Sequence, residues 1–420
     1  MRNLTVLCLG LLLLAGASVA RAEIGTIDNV PAATLLLPYF EVDLDNADGV
    51  TTLFSINNAS ATAVLAHVTL WTDLSVPTLD FNVYLTGYDV QTFNLRDLFT
   101  TGSVPRTASA GQDPGDTISP KGIYSQDINF ASCTNQLPLP NLPPTLLDHI
   151  RAAHTGQASP IIFGGLCSGV DHGDNVARGY VTIDTVNSCS LEFPASPGYF
   201  TNFATFQNVL LGDYFYVNSV ENFAQGETMV HVEADPQTLG AANYTFYRRY
   251  TSGEDAREGL DNIFFARFIN GGAFDGGTSY VVWRDAKRTI SPFSCALTAP
   301  SPFPLAQNQI VIFDEAEHPS VPPTSPFSPP VPGTSLVPFP WEANRTLVGG
   351  PDFPVPYTFG WIYLNLNNAV AGSQVPFEPL MQNFVTVVMD ANGRFSVGYD
   401  GFSLSNVTFP ATASDQHIGG

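Results

Sequence analysis

The chain has 420 residues, of which 16 are basic and 38 acidic, so its formal net charge is −22 at pH 7. Such an acidic chain is poorly suited to bind nucleic acid or anionic lipid, because both are held through Lys and Arg against phosphate; cations are its natural partners. Hydrophobic residues make up 44% of the chain, which also contains 35 Gly and 33 Pro. The length allows two or three domains, and the composition is typical of loop-rich, extracellular all-β proteins.

The N-terminus has the pattern of a secretory signal peptide over residues 1–22. Arg2 is followed by an apolar run from Leu4 to Ala15 and by the A-x-A cleavage pattern Ala20-Arg21-Ala22. No later stretch approaches ~18 consecutive apolar residues, so we expect no transmembrane segment in the mature chain. The predicted location is secreted, periplasmic or at the cell surface.

Short segments that alternate hydrophobic and polar residues, bounded by Gly, Asn, Asp or Pro, recur along the mature chain. This period of two predicts half-buried antiparallel strands. In chain order the predicted strands are Thr51–Asn57, Val64–Thr72, Leu79–Leu85, Val90–Leu95, Gly179–Val186, Asp213–Asn218, Thr228–Glu233, Tyr280–Arg284, Gln309–Phe313, Gly360–Leu366, Phe384–Met389 and Arg394–Tyr399. The predicted fold class is therefore all-β.

One or two short helices interrupt this pattern. Helical spacing is convincing at Thr145–Ala153, where prolines precede the segment and Gly156 follows it. A second candidate begins at Ser252 with capping-box spacing, although the same segment could run into a strand at Ile263–Phe268. The proline-rich range Pro319–Pro340 predicts an extended excursion and not a packed layer.

Four blocks of the sequence recur in the same order and predict an internal repeat. Each copy of the first block combines an aromatic strand, a Gly/Asp turn and an alternating strand. The blocks pair residues 37–58 with 266–285, 84–97 with 303–317, 178–187 with 359–368, and 223–235 with 391–403. The alternative is chance similarity, since amphipathic strands joined by polar turns resemble one another.

A true repeat predicts two tandem antiparallel β-sandwich domains. The first would span residues 23–240 with an insertion at 99–166, and the second residues 255–415 with a proline-rich insertion at 295–358. The strand spacing is that of immunoglobulin-like sandwiches at the level of architecture. No motif ties the chain to a characterised family.

Four cysteines follow the predicted signal peptide, which contains Cys8: Cys133, Cys167, Cys189 and Cys295. In an exported protein they most simply form two disulfides, because that compartment oxidises paired thiols. Three connectivities are possible. We favour Cys133 with Cys167, since this pair brackets the single helix-like insert.

The stretch from Phe163 to Asn175, FGGLCSGVDHGDN, contains the G-x-C-x-G spacing of a nucleophile elbow around Cys167. A true elbow needs a helix directly after the nucleophile, whereas a turn sequence follows Gly169. A disulfide would also remove the nucleophilicity of Cys167. We therefore predict no catalytic residue here, and the sequence has no Gly-rich phosphate loop or haem-attachment motif.

Two acidic turns are the best candidates for a metal site, and calcium is the ion that such oxygen-rich loops would hold. One contains Asp43, Asp45 and Asp48, and the other contains Asp171 and Asp174. Neither matches an EF-hand loop. The alternative is a solvated turn in which Asp and Asn bind local backbone groups, and no cofactor is required by either interpretation.

Aromatic side chains offer another kind of site, a stacking platform for sugars. Trp71, Trp283 and Trp361 lie in alternating strands, where burial in the core is the usual outcome. Trp341 lies among prolines and is the candidate for ligand stacking. The acidic run Asp314–His318 lacks the H-E-x-x-H spacing of a zinc protease, so we expect a solvated strand end.

The signal peptide, the tandem sandwiches, the acidity and the missing catalytic motifs together favour an exported structural or adhesive protein of a cell surface or matrix. Such a protein would recognise other surface proteins or glycans, or self-associate through sheet edges. The alternative function is a carbohydrate-binding module or a glycan-active hydrolase with carboxylates on its loops.

Overall fold

The structure is a computed structural model that describes residues 30–104, 142–189, 191–240, 245–251, 253–285, 291–296, 302–305, 309–321, 337–367 and 381–403. In these ranges the chain forms eighteen strands, arranged in four antiparallel sheets. The predicted all-β fold class is confirmed. The predicted signal peptide, Cys133 and most of Pro319–Pro340 lie outside the described residues.

The first pair of sheets contains strands β1 to β9. They are β1 (Thr34–Asp43), β2 (Val50–Asn58), β3 (Val64–Thr72), β4 (Pro77–Leu85), β5 (Val90–Asn94), β6 (Val176–Val186), β7 (Leu210–Asn218), β8 (Phe223–Thr228) and β9 (Val230–Val232). One sheet has the order β4-β3-β6-β1-β9 and the other the order β5-β2-β7-β8. β1 packs against β2 and β7 of the opposite sheet, so the core lies between the two layers.

The second pair of sheets contains strands β10 to β18. They are β10 (Ile263–Ile269), β11 (Gly277–Arg284), β12 (Ile310–Phe313), β13 (Pro319–Ser320), β14 (Ala343–Leu347), β15 (Phe359–Asn365), β16 (Asn383–Asp390), β17 (Ser396–Asp400) and β18 (Phe402–Ser403). The sheet orders are β13-β12-β15-β10-β18 and β14-β11-β16-β17. The range 295–358, which we predict as an insertion, therefore contributes β12, β13 and β14 to these sheets.

The two pairs of sheets have the same strand order. When nine is added to the number of each strand in the first pair, the order β4-β3-β6-β1-β9 becomes β13-β12-β15-β10-β18. In the same way β5-β2-β7-β8 becomes β14-β11-β16-β17. Three of the four predicted repeat blocks fall on equivalent strands. The pairing of residues 84–97 with 303–317 is wrong, because the first contains β5 and the second contains β12, the equivalent of β3. Short amphipathic strands are alike enough to be confused in this way.

The immunoglobulin-like part of the prediction is limited to the two-sheet architecture. In immunoglobulin constant domains the first two strands lie in one sheet. Here β1 and β2 lie in opposite sheets, and so do β10 and β11. The structure therefore establishes two packed pairs of antiparallel sheets and leaves the narrower resemblance unconfirmed.

Three short helices lie in the described part of the chain: α1 (Leu95–Thr101), α2 (Pro144–His154) and α3 (Tyr199–Asn202). Helix α2 confirms the prediction at Thr145–Ala153, and the strand alternative at Ile263–Phe268 is confirmed by β10. Helix α1 was missed. No helix of the described ranges has the length and apolar character needed to cross a membrane.

A continuous hydrophobic core runs from the first pair of sheets into the second. Val281 and Trp283 of β11 and Phe384 of β16 belong to the same buried cluster as the core of the first pair. Strands β8 and β17 lie side by side, and Ser396 Oγ donates a hydrogen bond of 2.6 Å to the Ala224 carbonyl. The two sandwiches are therefore joined by packing as well as by the chain.

A disulfide between Cys167 and Cys295 also joins the two halves. Cys167 precedes β6 and Cys295 follows β11, and the backbone of Cys167 exchanges two hydrogen bonds of 2.8 Å with Phe293. The favoured pairing of Cys133 with Cys167 is wrong, because this backbone bridge brings Cys295 to Cys167 from a distant part of the sequence. Cys189 is disulfide-bonded as well.

Candidate functional site

A cleft of about 600 Å³ lies between the two sandwiches. Its first wall comes from β1 and β6, which present Tyr39, Glu41 and Arg178. Its second wall comes from β14 and the segments that flank it, including Trp341 and Arg345. Trp341, the stacking candidate from the sequence, therefore lines a cleft and is half-buried.

The backbone of Trp341 is fixed by a single side chain, that of Asn344. The Trp341 N–H donates to Asn344 Oδ1 at 2.8 Å, and Asn344 Nδ2 donates to the Trp341 carbonyl at 2.6 Å. The next residue, Glu342, is buried and forms an ion pair of 2.7 Å with Arg249. The indole ring is thus carried on a rigid turn, which lowers the entropy lost when a ligand packs against it.

The two walls of the cleft are joined by the ion pair of Glu41 and Arg345, with Tyr39 beside it. Glu41 accepts from Arg345 Nη1 on one oxygen and from the Tyr39 hydroxyl at 3.3 Å on the other. Burial, reinforced by the Glu41 carboxylate, raises the pKa of Tyr39 well above its ordinary value. The phenol therefore keeps its proton and acts as a donor. A carboxylate has about four acceptor positions, so Glu41 can accept from a ligand as well.

Two of the lining side chains, Arg178 and His172, are each held by an aspartate. Arg178 donates through both terminal nitrogens to Asp174, at 2.7 Å and 2.5 Å. His172 Nε2 lies 3.0 Å from Asp73 Oδ2, and the other oxygen of Asp73 accepts from the Val170 N–H. The cleft therefore combines an aromatic ring, fixed donors and fixed acceptors.

The predicted acidic turns lie next to each other in the fold. Asn175 Nδ2 donates to Asp45 Oδ1 at 2.6 Å, which links the turn after β1 to the turn before β6. Asp43 Oδ1 accepts from the backbone N–H groups of Asp45 and Asn46, and Asp171 Oδ1 accepts from that of Gly173. These carboxylates accept hydrogen bonds from backbone groups of their own turns, as in the solvated-turn alternative to a metal site.

A guanidinium binds the carbonyl oxygens of the first acidic turn. Arg96 Nη1 donates to the carbonyls of Asp43 and Asn46, and Nη2 donates to those of Gly49 and Val50, all at 2.8 to 2.9 Å. Asp48 lies in the same turn, and Asp174 is neutralised by Arg178. Across the described ranges, no group of three or more His, Cys, Asp or Glu side chains is placed to hold a metal. The calcium prediction gains no support from this geometry.

The remaining sequence candidates have structural roles. Cys167 is oxidised, so it carries no nucleophilic thiol. Trp71 and Trp283 are buried, and Trp361 stacks on Phe313 with ring centroids 4.0 Å apart. In the run Asp314–His318, the two end residues bind each other, with Asp314 Oδ2 3.0 Å from His318 Nδ1.

Sequence reasoning found Trp341 but missed four polar residues that line the same cleft. Tyr39, Glu41, Arg178 and Arg345 come from three strands that are distant in sequence. The predicted strands contain neither arginine: Arg178 lies one residue before the predicted strand Gly179–Val186, and Arg345 lies in β14, for which no strand was predicted. Comparisons with family models, with curated proteins and with solved structures each gave no significant match.

Proposed function

We propose that the protein is an exported recognition protein of a cell surface or matrix that binds a glycan in the cleft between its two sandwiches. The observation that carries the proposal is the position of Trp341, a half-buried ring on a fixed turn beside the Glu41–Arg345 pair. This proposal joins the structural or adhesive role expected from the sequence to its carbohydrate-binding alternative.

Sugar chemistry suits the cleft because a pyranose has an apolar face and a ring of hydroxyls. The apolar face packs on an indole, which has a large flat surface. The hydroxyls both donate and accept, so they match a site in which Arg345 and Tyr39 are donors and Glu41 is an acceptor. Charged groups that are already fixed in place lose little entropy on binding and give orientation and specificity.

The proposal is tested by affinity electrophoresis of the purified protein through gels containing galactomannan, xylan or alginate. Trp341→Ala is expected to weaken binding to the retained polysaccharide by about tenfold or more, which is ~1.4 kcal/mol. Trp361→Ala is the matched control, because Trp361 is also half-buried but lies outside the cleft. Equal retention of the wild type and Trp341→Ala would reject the cleft as the binding site.

Self-association through sheet edges is the second candidate function. Strand β5 is the outer strand of the β5-β2-β7-β8 sheet, and its Val90 is 56% exposed, which is the condition for strand addition. Light scattering after size exclusion separates the two candidates. If the protein is strictly monomeric over a wide concentration range, self-association is excluded and glycan binding is the candidate function that is left.

A further inference from the structure

The outer face of the β5-β2-β7-β8 sheet carries a second groove, of about 670 Å³. Its lining comes from β2, β5 and β7, and helix α1 closes one side through Asp97. It shares no lining residue with the cleft around Trp341. The two sites are therefore physically separate.

An aromatic ring lies over a glycine on this sheet face. Phe215 of β7 is the cross-strand partner of Gly226 of β8. A Cβ placed on Gly226 would lie 2.2 to 3.0 Å from three carbon atoms of the Phe215 ring. The ring thus covers the Gly226 backbone on one side and is still 43% exposed on the other. Glycine is required beneath it, because any larger residue would displace the ring.

A row of polar side chains crosses the sheet next to this ring. Ser55 of β2 pairs with Thr92 of β5 and with Asp213 of β7. Ser55 Oγ donates to Asp213 Oδ1 at 2.6 Å, and within the described part of the chain Asp213 Oδ2 accepts no hydrogen bond. Asp213 and Phe215 are two residues apart on one strand, so they lie on the same face, about 7 Å apart along the strand. At this spacing Phe215 can stack on a sugar ring while Asp213 accepts a hydrogen bond from a hydroxyl group.

The charges of the groove select a class of ligand. The side chains that line it include the carboxylates of Asp97 and Asp213 but no Lys, Arg or His. Carboxylates repel phosphate, sulfate and uronic acids, and they accept hydrogen bonds from hydroxyls. The complementary ligand is a neutral glycan.

We propose that this groove is a second glycan site, specific for neutral sugars, in which Phe215 is the stacking ring and Asp213 the acceptor for hydroxyl groups. This proposal rests on the proposed function, because both assign a glycan as the ligand. Two separate sites on one chain allow it to hold two polysaccharide chains together, or one chain twice, which raises the apparent affinity without new contacts.

The test uses the whole protein in gels containing galactomannan, a neutral polymer, or alginate, an acidic one. Phe215→Ala is expected to weaken binding to galactomannan by about tenfold, and Gly226→Ala by a similar factor, because the added methyl group displaces the ring. Phe359→Ala is the matched control, since Phe359 is 51% exposed and lines neither groove. Asp213→Asn should weaken binding while leaving the ring in place.

The outcomes separate this site from the cleft. A tenfold loss of galactomannan binding in Phe215→Ala but not in Phe359→Ala supports the second site, whether or not Trp341→Ala also weakens binding. Binding lost in Trp341→Ala alone overturns the second site and leaves the cleft. A wild type that binds alginate but not galactomannan also overturns the second site only, whereas a wild type retained by neither polymer overturns both proposals.

Discussion

Glu41 of β1 and Arg345 of β14 form an ion pair that joins the two sandwiches. Their side chains are 9% and 26% exposed, so removing the arginine leaves a carboxylate in a largely dry site. We expect Arg345→Met to lower the free energy of unfolding in urea by about 2 to 3 kcal/mol.

The control for this prediction is Arg267→Met. Arg267 pairs with Glu315, but the two side chains are 59% and 50% exposed, and we expect a change below about 0.5 kcal/mol. The double variant Glu41→Gln/Arg345→Met should recover part of the loss, because no charge is left unpaired. Equal losses for Arg345→Met and Arg267→Met would contradict the assignment of a stabilising pair.

The disulfide should contribute strongly to stability. It links residues 128 positions apart, and the chain-entropy model gives about 4 to 5 kcal/mol for closing a loop of roughly this length. We expect Cys167→Ser/Cys295→Ser to lower the free energy of unfolding by about 4 kcal/mol in guanidinium titrations. An unchanged midpoint in that double variant would show that the cross-link is dispensable.

His154 is expected to remain neutral through the acidic range. Its Nδ1 lies 2.8 Å from the Arg178 carbonyl, which can only accept, so Nδ1 carries the proton and Nε2 accepts from the Thr78 hydroxyl at 2.7 Å. Burial lowers the pKa of His154 to about 3. Because the unfolded chain protonates its histidines near pH 6.5, this residue reduces stability as the pH falls below that value. Nitrogen-15 NMR should show one Nδ1–H tautomer, and a titration midpoint near 6.5 would contradict the prediction.

Two carboxyl groups at the seam between β8 and β17 give an opposite pH dependence. Burial, with a smaller effect of Asp400, raises the pKa of Glu227 to about 7, and burial raises that of Asp400 to about 6. The folded state therefore favours the protonated forms. The energetic cost of ionising them in the fold grows as the pH rises from about 4 to about 7.

Glu227→Gln should consequently be more stable than the wild type at about pH 8 by ~1 kcal/mol, a value reduced for partial exposure, and no more stable at about pH 4. The measurement is the difference in unfolding free energy between variant and wild type at the two pH values. Glu221→Gln is the control, because Glu221 is exposed and binds Asn218 at the surface. A constant difference across the range would contradict a titrating Glu227.

Because Arg96 already binds the carbonyl oxygens of the first acidic turn, we expect calcium to leave the thermal stability of the protein unchanged. Its guanidinium holds four carbonyl oxygens of the turn after β1 in a planar arrangement that a lysine cannot reproduce. We expect Arg96→Lys to cost about 2 kcal/mol of stability. Thermal unfolding of the wild type should be the same in millimolar calcium and in EDTA. A calcium-dependent rise in Tm would restore the metal interpretation of Asp43, Asp45 and Asp48.

Local patterning predicted most of the strands, because half-buried strands alternate polar and apolar residues. β1 was recognised only through the repeat. Nine of its ten residues are buried, and a strand covered on both faces has no period of two. It also contains Pro38, and its pairing with β6 shifts between Leu37 and Phe40, since proline cannot donate to the ladder.

Local sequence patterns predicted neither helix α1 nor the cleft, for different reasons. The predicted strand ran on to Leu95, whereas the side chain of Asn94 accepts from the Arg96 N–H at 3.0 Å and begins a helix there. The cleft depends on how β1, β6 and β14 meet, and their spacing along the chain contains no information on that packing. The disulfide pairing failed for the same reason.

The bond between Cys167 and Cys295 has a consequence for biosynthesis. Cys295 is 128 residues after Cys167 in the chain. During translation, the Cys167 thiol is therefore present before its disulfide partner has been synthesised. A truncated chain that stops before residue 293 also lacks the backbone bridge from Phe293. Although the two halves repeat one topology, this bond between them can form only after the chain has been synthesised as far as Cys295.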